Sequence, residues 1–168
     1  SGSRRPIPLQ TGFPAPLVEA AGYLAEGKLA KAEAILRPYV HQHPADVNGI
    51  RMLGEVGMAL GALRDAENLL QRCVELAPDY HAARYAYANA LYKRHRYDEA
   101  LGQLDTLLAV EPTNPAWLTL KAANLVEINE HERAIPIFAE VLAHHPGHKQ
   151  AYLSYGHALR AVGRVDEA

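Results

Sequence analysis

Residues 81–114 read HAARYAYANALYKRHRYDEALGQLDTLLAVEPTN, and their pattern of small residues, turn and proline recurs along the chain every 34 residues. The recurring alanines are Ala32, Ala66, Ala100, Ala134 and Ala168. The recurring prolines are Pro44, Pro78, Pro112 and Pro146. A fixed period of this length predicts a stack of repeated units, each of which buries its apolar face against its neighbours.

The quoted unit predicts two helices joined by a tight turn. Tyr85 and Asn89 lie four residues apart and mark one face of a first helix, which is interrupted at His95. Tyr97 then begins a second helix whose acidic first turn suits the helix dipole. Its apolar face consists of Leu101, Leu104, Leu107 and Leu108.

Turns and helix starts have their own residues. Within each unit, the turn between the first and the second helix carries a residue that tolerates a left-handed backbone. These residues are Gly27, Gly61, His95, Asn129 and Gly163. Asp46, Asp79 and Asn114 follow the periodic prolines and are expected to accept hydrogen bonds from exposed amides at the next helix start. Pro115 suits a first helical position, because its missing amide costs little there.

Composition excludes several classes of protein. The 168 residues carry a net charge of −2, which offers no broad attraction for nucleic acid or an anionic membrane. Cys73 is the single cysteine and cannot form an internal disulfide. No apolar run is long enough to cross a membrane. We therefore expect a cytoplasmic protein that binds neither nucleic acid nor membrane.

The periodic columns resemble those of the tetratricopeptide repeat (TPR) family. The eighth residue of each unit is small, as that family requires: Ala20, Gly54, Ala88, Ala122 and Gly156. The resemblance implies an all-α fold, a right-handed superhelix of antiparallel helix pairs with a 34-residue period. Residues 1–12 then form an extended arm, and residues 13–168 form about four and a half repeats. The repeats are 13–46, 47–80, 81–114, 115–148 and a truncated 149–168.

Three local features of the repeats lead to specific expectations. We expect the eighth and twentieth residues of each unit to meet where its helices cross, which explains why both are small. Pro38 falls inside a second helix and predicts a kink or an early end. The fifth unit stops early, which predicts that Tyr152, Tyr155 and Leu159 lack cover, that the natural protein continues, and that copies can associate end to end.

A narrower resemblance is to the amino-terminal repeats of bacterial TPR-sulfotransferases. The similar segments are 51–56 (RMLGEV), 65–70 (DAENLL), 72–78 (RCVELAP), 114–117 (NPAW), 120–123 (LKAA) and 155–159 (YGHAL). In those proteins the repeats precede a domain that uses 3′-phosphoadenosine 5′-phosphosulfate. This chain has no Gly-rich phosphate loop, so we expect it to be non-catalytic and to hold no cofactor, whatever a parent protein does.

The TPR resemblance also places a ligand groove on the first helices. Its groove positions fall on Asn48, Arg51, Glu55, Met58, Tyr85, Asn89, Tyr92, Lys93, Thr119, Glu127, His157 and Arg160. This mixture of aromatic, amide and charged side chains suits an extended peptide or a protein segment. The alternative is a solvated face of a spacer module. The cationic cluster with which some TPR domains hold chaperone tails has no counterpart, because Glu55 and Tyr85 occupy two of its sites.

Metal binding and catalysis are weaker interpretations. His41 and His43 form one histidine group and His144, His145 and His148 form another, three units apart. Helix ends tolerate such rings, and we expect no metal site. An enzyme fragment remains the alternative to a binding scaffold, with Glu55, Glu127 and His157 as its candidate catalytic groups.

Overall fold

The computed structural model describes residues 12–163, and that part of the chain is entirely helix and turn. The first helices of the units are α1 (Ala15–Ala25), α3 (Val47–Leu60), α5 (His81–Lys93), α7 (Pro115–Glu127) and α9 (Lys149–Ala161). The second helices are α2 (Leu29–Gln42), α4 (Leu63–Leu76), α6 (Tyr97–Val110) and α8 (His131–His144). The predicted arm, apart from Gly12, and residues 164–168 at the end of the truncated fifth unit lie outside the described residues.

The helices pack in chain order, and this confirms the expected all-α solenoid. Each helix contacts the next from α1 to α9, and the first helices α3, α5, α7 and α9 also contact one another in turn. Successive second helices approach each other less closely. The first helices therefore form the inner, concave wall, and the second helices spread over the convex side.

Small residues set the distance between paired helices, although not in the expected pairing. The periodic alanines of the first four units, Ala32, Ala66, Ala100 and Ala134, are fully buried. In the second unit a Cβ added at Gly54 would lie 2.7 Å from Cγ of Leu70, whereas one at Gly57 would lie 3.3 Å from Cβ of Ala66. The eighth residue thus faces the twenty-fourth, and the twentieth faces the eleventh, because the helices run antiparallel.

The turn column adopts the predicted backbone. Within residues 12–163 every residue with positive φ belongs to it: φ is 72° at Gly27, 83° at Gly61, 62° at His95, 65° at Asn129 and 76° at Gly163. A left-handed residue reverses the chain in few residues, so the second helix can fold back on the first.

Two of the three predicted helix caps are present. Asp46 accepts hydrogen bonds from the amides of Asn48 and Gly49, at 3.0 and 3.2 Å. Asn114 accepts one from the amide of Trp117 at 3.1 Å. The expectation for Asp79 was wrong: α5 begins at His81, so the residue at its cap position is Tyr80, which makes no side-chain cap.

The start of α9 is capped by a histidine. Nδ1 of His148 accepts a hydrogen bond from the amide of Ala151 at 3.1 Å. His148 lies 34 residues after Asn114 and thus occupies the same position in its unit. The column therefore contains three different capping side chains and one tyrosine.

Pro38 does not end its helix. Helix α2 continues to Gln42, so the early end was wrong, and it stops at the same position in its unit as α4, α6 and α8. Pro38 and Ala34 are both exposed, so water can satisfy the Ala34 carbonyl that has lost its helical donor. Helix α8 likewise contains Pro136 on an exposed face.

The last helix is partly covered. Tyr152 is 59% exposed, as expected, and Tyr155 is half-buried. Leu159 is fully buried and belongs to the same apolar cluster as Phe138, against which Tyr155 also packs. The expectation that Leu159 lacks cover was wrong, because the preceding unit already buries it.

Two polar contacts tie successive units together in different ways. Glu67 of α4 is only 2% exposed and forms ion pairs with Arg94 and Arg96, on either side of the left-handed residue between α5 and α6. One unit later Nζ of Lys121 lies 3.1 Å from Asp105, whose side chain is mostly exposed. The first contact is buried and doubled, and the second is single and solvated.

We expect Gly54→Ala to lower the free energy of unfolding by about 1–3 kcal/mol, because the added methyl group overlaps Leu70. Gly102→Ala is the matched control: Gly102 lies within α6 and an added Cβ would meet nothing within 4 Å. That variant should gain about 0.5–1 kcal/mol from helix propensity. Urea denaturation measures both, and equal effects would contradict the packing argument.

The joint between the first two units has a buried tyrosine at its centre. Tyr39 donates a hydrogen bond to Asp46, and its ring packs where a Cβ on Gly49 would otherwise lie. Burial, followed by the hydrogen bond to Asp46 and the charge of that carboxylate, raises the pKa of Tyr39 to about 12. The neutral phenol is therefore favoured in the folded chain.

This pKa predicts a loss of stability at alkaline pH. The unfolded chain ionises Tyr39 near its ordinary pKa of 10.0, whereas the folded chain does so near 12. Its stabilising contribution should be complete below pH 10 and be lost as the pH rises toward 12. We expect urea-measured stability to fall less steeply over this range in Tyr39→Phe than in the wild type. Tyr152→Phe, at an exposed tyrosine, is the control, and parallel curves for Tyr39→Phe and wild type would contradict the assignment.

Candidate functional site

The concave wall carries three adjoining cavities of about 350–390 Å³ each. We call them the first, middle and third cavities in chain order. The first and middle cavities share Tyr85, Asn89 and Lys93. The middle and third share Tyr92, Ala123 and Ser154. Together they form one continuous groove that follows α3, α5, α7 and α9.

The groove brings together ten of the twelve residues that the sequence predicted for it. Glu55 and Met58 line the first cavity, and Thr119 lines the middle one. Glu127, His157 and Arg160 line the third. The remaining four are Tyr85, Asn89, Tyr92 and Lys93.

Asn48 and Arg51 lie outside the three cavities and are bound to each other through Tyr80. The Tyr80 hydroxyl donates to Oδ1 of Asn48 at 2.8 Å and accepts from Nε of Arg51 at 2.5 Å. Arg51 also contacts Glu55 at 2.8 Å. These side chains link α3 to Tyr80, the residue that directly precedes α5, and so support the groove from its end.

The middle cavity has a polar lining without a carboxylate. The side chains of Asn89 and Thr119 lie on its wall with Lys93. Ser154 and Gln150 of α9 also line it, together with His148, which caps that helix. Thr119 is buried and its hydroxyl donates to the Pro115 carbonyl at 2.7 Å, so this hydroxyl already has a partner. The amide of Asn89 and the ammonium of Lys93 are the groups best placed to meet a ligand.

The third cavity combines an apolar floor with a charged rim. Val126, Phe138 and Leu153 supply the floor, and Leu153 is 67% exposed. Glu127 on the rim accepts a hydrogen bond from the Tyr97 hydroxyl at 3.4 Å. This cavity therefore suits a ligand side chain that is apolar.

The groove tyrosines stay neutral. Burial raises the pKa of Tyr85, and burial followed by the charge of Glu127 raises the pKa of Tyr92. The rings of Tyr92 and Tyr97 lie 5.8 Å apart. Both groove tyrosines can thus offer an apolar face together with a hydroxyl that donates or accepts.

The candidate catalytic groups do not assemble into one constellation. Glu127 and His157 line the third cavity, whereas Glu55 lines the first. Within residues 12–163 no hydrogen bond or ion pair joins His157 to either carboxylate. Cys73 is fully buried, its pKa is raised by burial, and its thiol donates to the Val47 carbonyl at 3.2 Å.

The histidine groups are dispersed as well. His41, His43, His144 and His145 are exposed, and His148 caps α9. In the described part of the chain no three His, Cys, Asp or Glu side chains converge as metal ligands would.

Several groove residues were missed by sequence reasoning. Leu153 occupies the fifth position of its unit, which the family uses for ligands, and alignment of the units could have found it. The contributions of Tyr80 and His148 could have been found from the helix-start column they share with Asp46 and Asn114. Gln150 occupies the second position, equivalent to Asn48, and could have been found in the same way, whereas Ser154 lies outside the family's groove positions and only the structure reveals it.

Across the residues described, none of the helices combines the length and the hydrophobicity needed for a membrane span. No curated protein matches the sequence significantly.

Solved structures of MamA proteins share the fold. MamA from Desulfovibrio magneticus RS-1 (residues 41 to the end) has a TM-score of 0.79 at 17% identity, over 90% of this chain and 86% of that one. A second MamA crystal structure gives 0.75 at 22% identity, over 88% and 86%. MamA of AMB-1 gives 0.73 at 20% identity, over 91% and 90%. At such identities the likeness concerns the fold.

The family is shown by the sequence match. Residues 18–163 match the model of the cytochrome c-type biogenesis protein H TPR domain, which covers most of the chain. The 34-residue period, the helix pairs and the left-handed turns all agree with this match. The chain therefore belongs to the tetratricopeptide repeat family described as the TPR domain of cytochrome c-type biogenesis protein H.

Proposed function

We propose that this chain is a non-catalytic scaffold that binds an extended peptide or protein segment in its concave groove. The continuity of the three cavities along α3, α5, α7 and α9 carries the proposal. A segment lying along this wall would meet side chains from several units at once. Such a shape suits an extended chain better than a compact small molecule.

The central groove residues have the chemistry to bind a peptide backbone. Asn89 lines both the first and middle cavities and is only half-buried, so its amide can pair with a backbone carbonyl and amide. Tyr85 and Tyr92 flank it with rigid rings, which provide contact area at a small cost in side-chain entropy. Arg51 is committed to Tyr80 and Glu55, so it supports the groove from its end.

Three other hypotheses concern a spacer role, an enzyme fragment and a larger parent protein. The spacer alternative predicts no ligand for the same groove, and the experiment below separates the two. The enzyme alternative has no constellation of groups in its favour. That the chain is the amino-terminal module of a larger bacterial sulfotransferase is a hypothesis, and the gene sequence around the chain would test it. A cytoplasmic location is a separate hypothesis, and localisation of the parent protein would test it.

We expect Tyr85→Ala and Asn89→Ala each to weaken peptide binding by tenfold or more, as removal of central contact residues does. The measurement uses an array of immobilised 12-residue peptides probed with labelled protein, followed by calorimetry on the peptides that bind. Tyr85→Phe should retain most of the affinity, because the ring remains.

Matched controls test for non-specific effects. Asn68→Ala changes an exposed asparagine on the convex helix α4, and Tyr152→Ala changes an exposed tyrosine outside the three cavities. Both should bind like the wild type, and thermal denaturation checks that all variants are folded. A wild-type protein that binds no peptide, or groove variants that bind unchanged, would reject the groove and favour the spacer.

A further inference from the structure

The charged side chains of the groove differ in whether an oppositely charged side chain already pairs with them. Glu55 is engaged by Arg51 at 2.8 Å, and Glu127 accepts the hydrogen bond from Tyr97. By contrast, Lys93 and Arg160 are exposed and have no acidic partner within 4.0 Å among residues 12–163. Glu127 keeps its negative charge, because a neutral hydroxyl does not offset it. Apart from the Arg51–Glu55 pair, Lys93, Arg160 and Glu127 therefore leave a net charge of +1 in the groove, although the chain as a whole is slightly negative.

The two cations bracket the junction of the middle and third cavities. Lys93 lines the middle cavity, which has no carboxylate on its wall, and Arg160 lies on the rim of the third. Tyr92 and Ser154 border both cavities between them. An acidic side chain in the middle cavity would thus meet an unpaired ammonium and nearby neutral donors, without repulsion from the wall.

The apolar floor beside this junction specifies a second feature of the ligand. Leu153 is 67% exposed, and together with Val126 and the buried Phe138 it forms one side of the third cavity. A leucine so exposed gains from contact with an apolar side chain, since about 25 cal/mol is gained per Å² of apolar surface removed from water. A simple polyanion would leave this surface in water.

We propose that the groove's ligand is an acidic peptide whose apolar side chain fills the third cavity between Tyr92 and Leu153 while its carboxylates contact Lys93 and Arg160. This inference rests on the proposed function and names the chemistry of the partner. Charge complementarity at an exposed site contributes mainly to association rate and selectivity, and the apolar side chain supplies the anchor.

The test uses four matched families of 12-residue peptides that share one backbone length. The families are acidic with a central Leu or Phe, basic with the same apolar residue, neutral with the same apolar residue, and acidic with Ser in its place. The wild type should prefer the first family, and raising NaCl from about 0.05 to 0.5 M should weaken binding because exposed charge pairs are screened.

Charge reversal then assigns the contacts. Lys93→Glu and Arg160→Glu should each weaken binding of the acidic apolar peptides on the order of tenfold and improve binding of the basic family. Arg64→Glu makes the same charge change at an exposed position outside the cavities and should have no effect. Circular dichroism confirms that the three variants are folded.

The outcomes separate the two proposals. Equal binding of basic, neutral and acidic apolar peptides, sensitive to Asn89→Ala but not to Lys93→Glu, would overturn the acidic ligand and leave the peptide groove standing. Equal binding of the acidic Ser family, or competition by heparin or an oligonucleotide, would overturn the apolar anchor and indicate a general polyanion site. Absence of binding by every family would reject the groove itself.

Discussion

The close approach of two helices within each unit is the constraint on which the remaining structure depends. Leu70 packs directly over Gly54, and Ala66 packs over Gly57, so the two backbones can lie near each other without a cavity between them. A helix pair packed in this way leaves an apolar face on each side, and stacking on the next unit covers it. The wall of first helices, and therefore the groove, follows from this arrangement.

Most of the fold could be predicted because the sequence contains five units, so each position can be compared with the equivalent positions of the other four. The predicted left-handed conformation is found at His95 and Asn129 as well as at the glycines of the turns, because the turn requires a reversal of the backbone and not a particular side chain. The predicted helix cap at Asp79 was wrong because its carboxylate is suited to capping but the cap position of α5 is the next residue, Tyr80. Pro38 failed as a helix terminator because the exposed surface of α2 lets water replace a missing donor.

The candidate site was predictable in its location and less so in its connections. Family positions led to a continuous groove, but they could not reveal that Arg51 is held by Tyr80, 29 residues away. Such a contact depends on how the start of α5 packs against α3, which periodicity alone does not encode. The same reason explains why the part of the wall formed by Ser154 emerged only from the structure.

The buried Glu67 gives the array an uneven stiffness. Rotation between the second and third units would separate this carboxylate from Arg94 and Arg96 while it remained enclosed, and an unpaired buried charge is costly. The next junction is tied by the solvated pair of Lys121 and Asp105, which water can replace at little cost. Bending between the third and fourth units, where the middle cavity lies, should therefore cost less free energy than bending between the second and third units. The curvature of the groove should therefore change more easily at this junction than at the junction before it.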